Sequence, residues 1–221
     1  MKKQILVIGM FVLIAGTFFL AGCSKSDTTP PVITLKGSNP MSISLNSTFV
    51  DPGSTANDNK DGDISSKVSV SGTVSNNVKG SYTLTYSVTD AAGNVGTATR
   101  TVNVVNDAEF LQGAYVNAVD SCFSPNTVST FDAQINTSNT VNNSFTINGF
   151  GAYGTSVNIA ATLDGTHTII SFLGSQPLGT GATLINANGN VTSHSSPTTI
   201  YVNYTWTDGT NTQNCHTWYN K

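Results

Sequence analysis

The residues that follow Cys23 alternate between apolar and polar side chains, and no segment there keeps apolar residues at the 3.6-residue spacing of a helix. In the run Tyr82–Thr89, large apolar side chains alternate with serine and threonine, and Ile200–Thr207 repeats the pattern. Stretches rich in Asn and Gly, which favour turns, separate such runs. Because a period of two places apolar side chains on one face of a strand, the sequence predicts an all-β protein.

The N-terminal segment, residues 1–22, has the pattern of an export signal. Two lysines precede an uncharged apolar stretch, Ile5–Ala21, as in a secretory signal peptide. The segment Leu20-Ala21-Gly22-Cys23 resembles the lipobox of bacterial lipoproteins. This resemblance implies that residues 1–22 are removed and that Cys23 carries palmitate and further acyl chains, which hold the protein on a membrane. An uncleaved transmembrane anchor is the alternative, because the apolar stretch is near the shortest length that spans a bilayer.

Residues 23–30 form a polar, proline-ended segment that suits a short tether between the membrane and the first folded unit. Ser24 follows the lipidated cysteine. In Gram-negative lipoproteins, a residue other than aspartate at that position permits onward transport. The resemblance therefore implies a location in the cell envelope, at the outer membrane of a Gram-negative host.

Charged side chains are scarce, at 10% of the residues, where about a quarter is usual. The formal net charge of the whole chain is −3, and loss of Lys2 and Lys3 with the leader makes it −5. A chain with this balance offers no basic surface to a phosphate backbone. Nucleic acid is therefore excluded as a partner.

A boundary near residue 106 divides the chain into two units, residues 31–105 and residues 107–221. In the first unit, short alternating runs recur between Gly-, Asn- and Asp-rich connections, which predicts a β-sandwich. The predicted strands are Val32–Leu35, Met41–Leu45, Val68–Ser71, Tyr82–Thr89 and Arg100–Val104.

The first unit resembles the bacterial Ig-like domains that serve as spacers in surface and secreted proteins. The resemblance covers residues 30–105 and implies an architectural role, in which this domain holds another domain away from the cell surface. The matching segments are Pro30–Leu35, Asp51-Pro52-Gly53, Ala56–Ser65, Gly80-Ser81-Tyr82, Tyr86–Asp90, Gly93-Asn94 and Arg100–Val104.

An acidic loop in the first unit is a candidate metal site. Residues 57–62 partly match the ligand spacing of an EF-hand, but Val68 stands where that loop needs a glutamate, so an EF-hand is rejected. Asp58, Asp61 and Asp63 form the looser candidate, which would hold a structural calcium ion. The favoured alternative is a solvated turn in which these carboxylates accept hydrogen bonds from nearby backbone N–H groups. No other cofactor is expected.

The second unit is predicted to be an antiparallel meander with one buried face, and hence a small barrel or a curved sheet. In Val157–Leu163 and Ile200–Thr207 the apolar residues fall on one face. The predicted strands are Gly113–Val119, Asn143–Asn148, Ser156–Leu163, Thr168–Leu173, Thr199–Thr207 and Asn214–Asn220.

Cys122 and Cys215 are the two cysteines of the second unit. In an exported protein such a pair predicts a disulfide, which here would join the first strand of the unit to the last. Free thiols, or a metal pair that includes His216, are the alternative. A bond between first and last strands is what closure of a barrel would produce.

The second unit is similar to the lipocalin-like C-terminal domains that follow Ig-like spacers in Bacteroidetes-type surface lipoproteins. That group implies no particular activity, although some relatives with this layout accompany glycan-uptake systems. The matching segments are Gly113-Ala114-Tyr115, Asp120-Ser121-Cys122, Asn148–Gly151, Tyr204–Asp208 and Cys215–Tyr219.

Catalysis is not predicted. Asp164 with Asp132 or Asp208 would be the carboxylate pair of a glycan-processing enzyme, but nothing in the sequence fixes their separation. No G-x-S-x-G nucleophile motif occurs. The chain has three histidines without the spacing of a zinc site: His167, His194 and His216.

Aromatic residues of the second unit are the candidates for ligand binding. Alternation places Tyr201 opposite Trp206, and Trp218 opposite Tyr219, so one member of each pair should face outward. Tyr153 lies in a glycine-flanked turn. Exposed aromatic rings commonly stack on sugars, whereas the alternative is that both tryptophans belong to the core or to the sheet surface.

The sequence as a whole predicts a non-catalytic, lipid-anchored surface protein in which an Ig-like stalk presents a β domain to an extracellular ligand. Tyr201, Trp218 and Tyr153 are the candidate contacts, and a glycan is the favoured ligand class. The alternative is a structural or adhesive envelope lipoprotein that binds protein partners.

Overall fold

The computed structural model describes residues 26–123, 126–151, 156–179, 181–195 and 197–221. The protein is all-β, with 59% strand and 4% helix, which confirms the predicted fold class. The predicted leader, Cys23 and Tyr153 lie outside the described residues. Within the described ranges, the structure contains no helix with the length and apolar character needed to cross a bilayer.

The first unit consists of two sheets. One is a four-stranded sheet in the order β2-β7-β6-β5, in which β2 runs parallel to β7 and the other pairs are antiparallel. The other is an antiparallel three-stranded sheet in the order β1-β3-β4. The strands are β1 Val32–Leu35, β2 Met41–Ser44, β3 Ser54–Asp58, β4 Gly62–Asp63, β5 Ser69–Ser71, β6 Gly80–Thr89 and β7 Val95–Val105.

The core of the first unit includes a fully buried positive charge. Arg100 on β7 is fully buried, and its Nε donates a hydrogen bond of 3.0 Å to the Tyr86 hydroxyl. The Tyr86 hydroxyl in turn donates to Asp51 Oδ1 at 2.7 Å. The other guanidinium nitrogens donate to backbone carbonyls, so the charge is hydrogen-bonded on every side, as a buried ion requires. The carbonyls are those of Lys36, Ser38 and Gly53.

The second unit is a closed barrel of eight strands, which confirms the barrel alternative of the sequence analysis. The strand order is β12-β11-β10-β9-β8-β16-β15-β14, and pairing of β12 with β14 closes the ring. Strand β15 pairs with one edge of β14. The other edge of β14 is shared by β12 and the short strand β13. The strands are β8 Gly113–Phe123, β9 Asn126–Thr137, β10 Ser144–Asn148, β11 Asn158–Leu163, β12 Ile169–Phe172, β13 Gln176–Gly179, β14 Ala182–Ser193, β15 Thr199–Thr207 and β16 Thr212–Asn220.

The barrel interior is filled by side chains from every second residue of its strands. The predicted inward faces are confirmed for β11, where Ile159, Ala161 and Leu163 are buried, and for β15, where Ile200 and Val202 are buried. Trp206 is partly buried and packs against the same core. Large fully buried side chains complete the filling: Tyr115, Ile135, Phe145, Ile147, Phe150 and Tyr219.

Three strands of this nine-stranded sheet were not predicted from the sequence: β9 and β14 of the barrel, and the short β13 beside it. In β14 the dipeptide Asn188-Gly189 is typical of a turn, yet both residues pair in mid-strand with β15. Gly189 is required there by a close approach, because a Cβ at this position would lie 3.0 Å from the Tyr201 carbonyl oxygen and 3.1 Å from a Val202 methyl group. Here packing overrides the local turn preference.

Specific hydrogen bonds join the two units. The connection between β9 and β10 meets the first unit, where Asn46 Nδ2 donates to the Thr140 carbonyl at 3.1 Å and the Asn142 N–H donates to Asn46 Oδ1 at 2.9 Å. The Lys79 ammonium group lies 3.0 Å from Glu109 Oε2, in the turn Glu109–Leu111 that precedes the barrel. Asn106, at the predicted boundary, is buried and donates from Nδ2 to three backbone carbonyls: Ser138, Val141 and Ser144.

Candidate ligand-binding face

Three rows of outward side chains cross the barrel wall formed by β14, β15, β16 and β8. We call them the aromatic–amide face. The strand register aligns each row, and the alternate residues of the same strands point into the core. The first row is Asn190, Tyr201, Trp218 and Val119; the second is Asn188, Asn203, His216 and Ser121; the third is Asn186, Thr205 and Asn214.

Aromatic rings form a continuous group on this face. Tyr201 and Trp218 are cross-strand partners, and their ring centroids lie 5.1 Å apart. The His216 ring meets Trp218 edge-on at 4.5 Å and lies 5.1 Å from Phe123 at the end of β8. Trp218 is 37% exposed and Phe123 is 66% exposed. Apolar ring surface is therefore open to solvent along the face.

Amide side chains lie beside the rings. A cavity of about 210 Å³ is lined by Phe123, by the asparagines at 186, 188, 203 and 214, and by Thr205. Asn203 connects the cavity to the rings, because its Oδ1 accepts a hydrogen bond of 2.9 Å from the Tyr201 hydroxyl. Thr205 Oγ1 donates to Asn214 Oδ1 at 2.8 Å, which orients a second amide.

Covalent and polar contacts inside the barrel support the face from behind. A disulfide joins Cys122 on β8 to Cys215 on β16, which confirms the predicted pair. Buried Asp120 accepts hydrogen bonds from the Tyr204 hydroxyl at 2.8 and 2.9 Å and from Thr217 Oγ1 at 2.6 Å. These contacts fix β8, β15 and β16 relative to one another, and therefore fix the spacing of the rings outside.

The structure brings two of the three predicted ligand contacts together. Tyr201 and Trp218 are the outward members of their pairs, whereas Tyr219 is fully buried and Trp206 packs on the core. Tyr153 lies outside the described residues. The sequence analysis missed the rest of the face, although alternation around inward Cys215 would have indicated that Asn214 and His216 point outward.

The candidate catalytic residues serve local structure. Asp132 Oδ1 accepts a hydrogen bond of 3.0 Å from the Asn117 N–H. Asp164 and Asp208 accept hydrogen bonds within their own turns, and these bonds lower the pKa of both carboxyl groups. For Asp208 the largest effects come from the N–H groups of Asn211 and Thr210. Among the described residues of the barrel, no three His, Cys, Asp or Glu side chains come together as a metal-binding group.

The three histidines lie in two places. His167 and His194 lie at the end of the barrel nearest the first unit, where His194 Nε2 is 2.6 Å from the His167 carbonyl oxygen and both rings contact Phe110. His216 belongs to the aromatic–amide face at mid-barrel. The histidines therefore form no common site.

The structure does not bring the three predicted calcium residues together as one group of ligands. Asp63 Oδ1 accepts hydrogen bonds from the Ser65 hydroxyl at 2.6 Å and its N–H at 2.9 Å, which lower the pKa of Asp63. Asp61 Oδ2 accepts a bond of 2.6 Å from the Ala91 N–H. Of the three, only Asp58 joins a group of candidate ligands, and its companions there are Asp27 and Asp90.

Residues 33–104 match the model of the family described as bacterial surface protein, Ig-like domain. The protein therefore carries a surface-protein Ig-like domain, and the cell envelope is the location that this domain indicates. Comparison with curated protein sequences gives no match.

Solved structures similar to this chain come from Bacteroides and Clostridium. A lipoprotein of Bacteroides thetaiotaomicron is 20% identical over 86% of this chain and 99% of its own, with a TM-score of 0.36. A proposed outer membrane protein of Bacteroides fragilis is 12% identical over 86% of this chain and 94% of its own, with a TM-score of 0.37.

The CBM51-2 and INT domains of Clostridium perfringens ZmpB, solved in complex with GlcNAc, are 18% identical, with a TM-score of 0.29. That match covers 86% of this chain and 43% of the Clostridium chain. Likenesses at this level say nothing of what this chain binds.

Proposed function

We propose that this protein is a non-catalytic, lipid-anchored surface protein whose barrel binds an extracellular glycan on the aromatic–amide face. The pairing of Tyr201 with Trp218, with ring centroids 5.1 Å apart on the outer wall, carries the proposal. Sugar rings present C–H faces that stack on aromatic rings, and they carry hydroxyl groups at their edges. The face offers both partners, because rings and amides stand in adjacent rows.

The amides suit the hydroxyl groups of a sugar. An asparagine side chain provides a carbonyl acceptor and two N–H donors, and a sugar hydroxyl can use either kind. In Asn203 the carbonyl oxygen is held by the Tyr201 hydroxyl, which aims the amide as a donor beside the rings. Four asparagines line one cavity, so several hydroxyl groups could be met at once.

The outer wall is the appropriate side for such a ligand, because the interior is packed. Tyr115, Phe145, Phe150 and Tyr219 are fully buried inside the barrel. A ligand in the lumen would have to displace this core, which costs several kcal/mol for each large side chain lost from packing. An extended glycan lying across the wall displaces only water.

The rest of the chain supports a role at the cell surface. We propose that residues 1–22 are removed, that lipid on Cys23 holds the protein at the outer membrane, and that residues 23–30 form the tether. The Ig-like domain then carries the barrel outward. The hydrogen bonds of Asn46 and Asn106 to the barrel join stalk and barrel into one unit, so the face would be presented in a fixed orientation.

An adhesive role toward a protein partner is the second candidate. Val128 is 68% exposed and Phe123 is 66% exposed, and they lie on neighbouring strands at the border of the face. Exposed apolar residues that adjoin one another are typical of protein contacts. The two candidates differ in what binds, and the same variants can distinguish them.

The test uses the chain from Ser24 onward, which lacks the leader and Cys23, with its disulfide intact. It is screened on a glycan array and by retardation in polysaccharide gels. For a glycan that binds, Trp218→Ala and Tyr201→Ala should each weaken affinity by about ten-fold or more, as central aromatic contacts do. Asn203→Ala should weaken it less.

Val116→Ala is the matched control, because Val116 is 60% exposed on the barrel wall outside the three rows. This variant should bind as the parent does. Glycan binding that survives both aromatic substitutions would contradict the proposed face. A folded chain that retains no glycan at all would leave the adhesive role as the better account.

A further inference from the structure

Three aspartates from separate parts of the chain meet at the end of the Ig-like domain. Asp27 belongs to the tether, Asp58 ends β3, and Asp90 follows β6. Each contributes one carboxylate oxygen to a group whose atoms all lie within 4.8 Å of one another. Asp58 and Asp90 are buried, at 3% and 7% exposure, and Asp27 is half-buried. Acidic side chains so close together and so far from solvent need a compensating partner.

One carboxylate oxygen of Asp58 has no hydrogen bond among the described residues. Asp58 Oδ2 accepts from the N–H groups of Lys60 at 2.7 Å and Asp61 at 3.0 Å, whereas the buried Oδ1 of the same carboxylate has no hydrogen-bond partner among the described residues. Leaving a buried acceptor unsatisfied costs free energy, and more so for a charged one. A cation bound at Oδ1 would remove that cost.

The second buried carboxylate is held in position by the turn that follows it. Asp90 Oδ1 accepts from the Asn94 N–H at 2.8 Å, and Oδ2 accepts from Asn94 Nδ2 at 2.7 Å. These two bonds fix the orientation of the Asp90 carboxylate within the group.

The tether is brought to the same point by its own contacts. Asn94 Nδ2, which binds Asp90, also lies 3.3 Å from the Asp27 backbone carbonyl and donates to it. Asp27 Oδ1 accepts a hydrogen bond of 3.1 Å from the Thr29 N–H, which holds the Asp27 carboxylate in one orientation. A cavity beside the group is lined by Ser26–Thr29 together with Asn59 and Lys60.

We propose that Asp27, Asp58 and Asp90 bind one calcium ion, which fastens the tether to the Ig-like domain. Calcium takes six to eight oxygen ligands at about 2.3–2.6 Å in flexible geometry. Two oxygens on one ion are therefore at most about 5 Å apart, and the group at Asp27, Asp58 and Asp90 fits within that span. Water or backbone carbonyls would supply the other ligands.

This site differs from the one that local spacing indicated. It keeps Asp58 but replaces Asp61 and Asp63 with residues from the tether and from the end of β6. Its consequence concerns the segment next to the lipid-bearing cysteine. With calcium bound, residues 27–30 move with the Ig-like domain.

The test uses the chain from Ser24 onward, stripped of metal with a chelator. Calcium is then titrated in by calorimetry, with magnesium in a parallel titration, and thermal unfolding is followed at rising calcium concentration. We expect one calcium per chain, a melting temperature that rises with the logarithm of calcium concentration, and slower amide hydrogen exchange in residues 27–30. Magnesium should bind at least about ten-fold more weakly, because it demands a tighter octahedral shell.

Asp58→Asn and Asp90→Asn should weaken calcium binding by about ten-fold or more. Asp27→Ala changes only the tether, so it tests the site even if the other variants fail to fold, and it should have a similar effect. Asp61→Asn and Asp63→Asn are the matched controls and should bind as the parent does. Absence of a calcium heat and of a melting shift in the parent chain would overturn the proposal, as would loss of binding in the control variants with full binding in Asp27→Ala.

Discussion

Cys122 and Cys215 lie directly opposite each other on β8 and β16, with their Cα atoms 4.1 Å apart. They are separated by 93 positions in the sequence, so their bond closes nearly the whole barrel into one loop. The bond also joins the two strands that carry Phe123 and Trp218. It therefore stabilises the barrel and holds the register of the aromatic–amide face.

Replacing both cysteines, Cys122→Ala with Cys215→Ala, should lower the free energy of unfolding of the barrel by about 2–5 kcal/mol, because the unfolded chain regains the entropy that the loop removes. Both tryptophans of the protein lie in the barrel, so their fluorescence follows barrel unfolding in urea. Reductant should shift the parent chain to the same midpoint and leave the variant unchanged. Equal midpoints for parent and variant would show that the bond adds no stability.

Arg100 holds the Ig-like domain together through its buried guanidinium group. Arg100→Met should cost about 3–5 kcal/mol, because it leaves Asp51 without its cation and three backbone carbonyls without their donor. Arg100→Lys keeps the charge but cannot reach all these acceptors, so its cost should be intermediate. Hydrogen exchange of the β6 and β7 amides measures the loss of stability in the Ig-like domain separately from the barrel. A cost below about 1 kcal/mol for Arg100→Met would contradict this account.

The turn after β11 should respond to acid at an unusually low pH. Hydrogen bonds from the Thr166 hydroxyl and the Ile169 N–H, with that of Thr168, lower the pKa of Asp164 to about 2 from its usual 3.8. The folded pKa is depressed, so the stabilising contribution is complete above pH 3.8 and is lost as the pH falls through about 2.

An NMR titration should show the Asp164 carboxyl and the Thr168 and Ile169 amides changing together with a midpoint near pH 2. In Asp164→Asn the amide transitions should disappear, which serves as the control. A midpoint near 4, the usual range for an aspartate, would mean that the turn is not organised by this carboxylate.

The junction between the two units should loosen when the Asn46 side chain is removed. Asn46 has a φ of 66°, so Asn46→Gly deletes the amide without straining the backbone. The variant loses the contacts to Thr140 and Asn142, and NMR relaxation should show the two units tumbling more independently. The free energies of unfolding of the two units, measured in urea, should stay within about 0.5 kcal/mol of the parent values. Unchanged tumbling would mean that the contacts of Asn106 and Lys79, and not those of Asn46, keep the junction rigid.

Local patterns predicted the strands in which apolar residues alternate without interruption. Thr199–Thr207 was predicted to the residue, and β11 within two positions. β9 was missed because its inward apolar residues, Phe131, Ala133 and Ile135, occupy only the second half of the strand, and β14 because Asn188-Gly189 imitates a turn. In both strands, pairing with neighbours on either side overrides the local preference.

The candidate sites depend on contacts between distant segments, which no local spacing reveals. Alternation showed that Tyr201 and Trp206 face opposite ways, but only the packing of Trp206 on the core decided which one is outside. His216 and Phe123 became neighbours through the pairing of β16 with β8. In the same way, spacing grouped Asp58 with nearby carboxylates, whereas the fold brings it to Asp27 and Asp90.

The even number of antiparallel strands in the barrel has a consequence for how this architecture can change over time. The chain enters β8 and leaves β16 at the end that contacts the Ig-like domain, whereas β8, β10 and β15 all run to the opposite end, where their connections to the next strands begin. Insertions in those connections would alter neither the docked end nor the wall between. The distal end of this barrel can thus change in length and sequence while the end that meets the Ig-like domain stays the same, in the way that antibody loops vary on a constant framework.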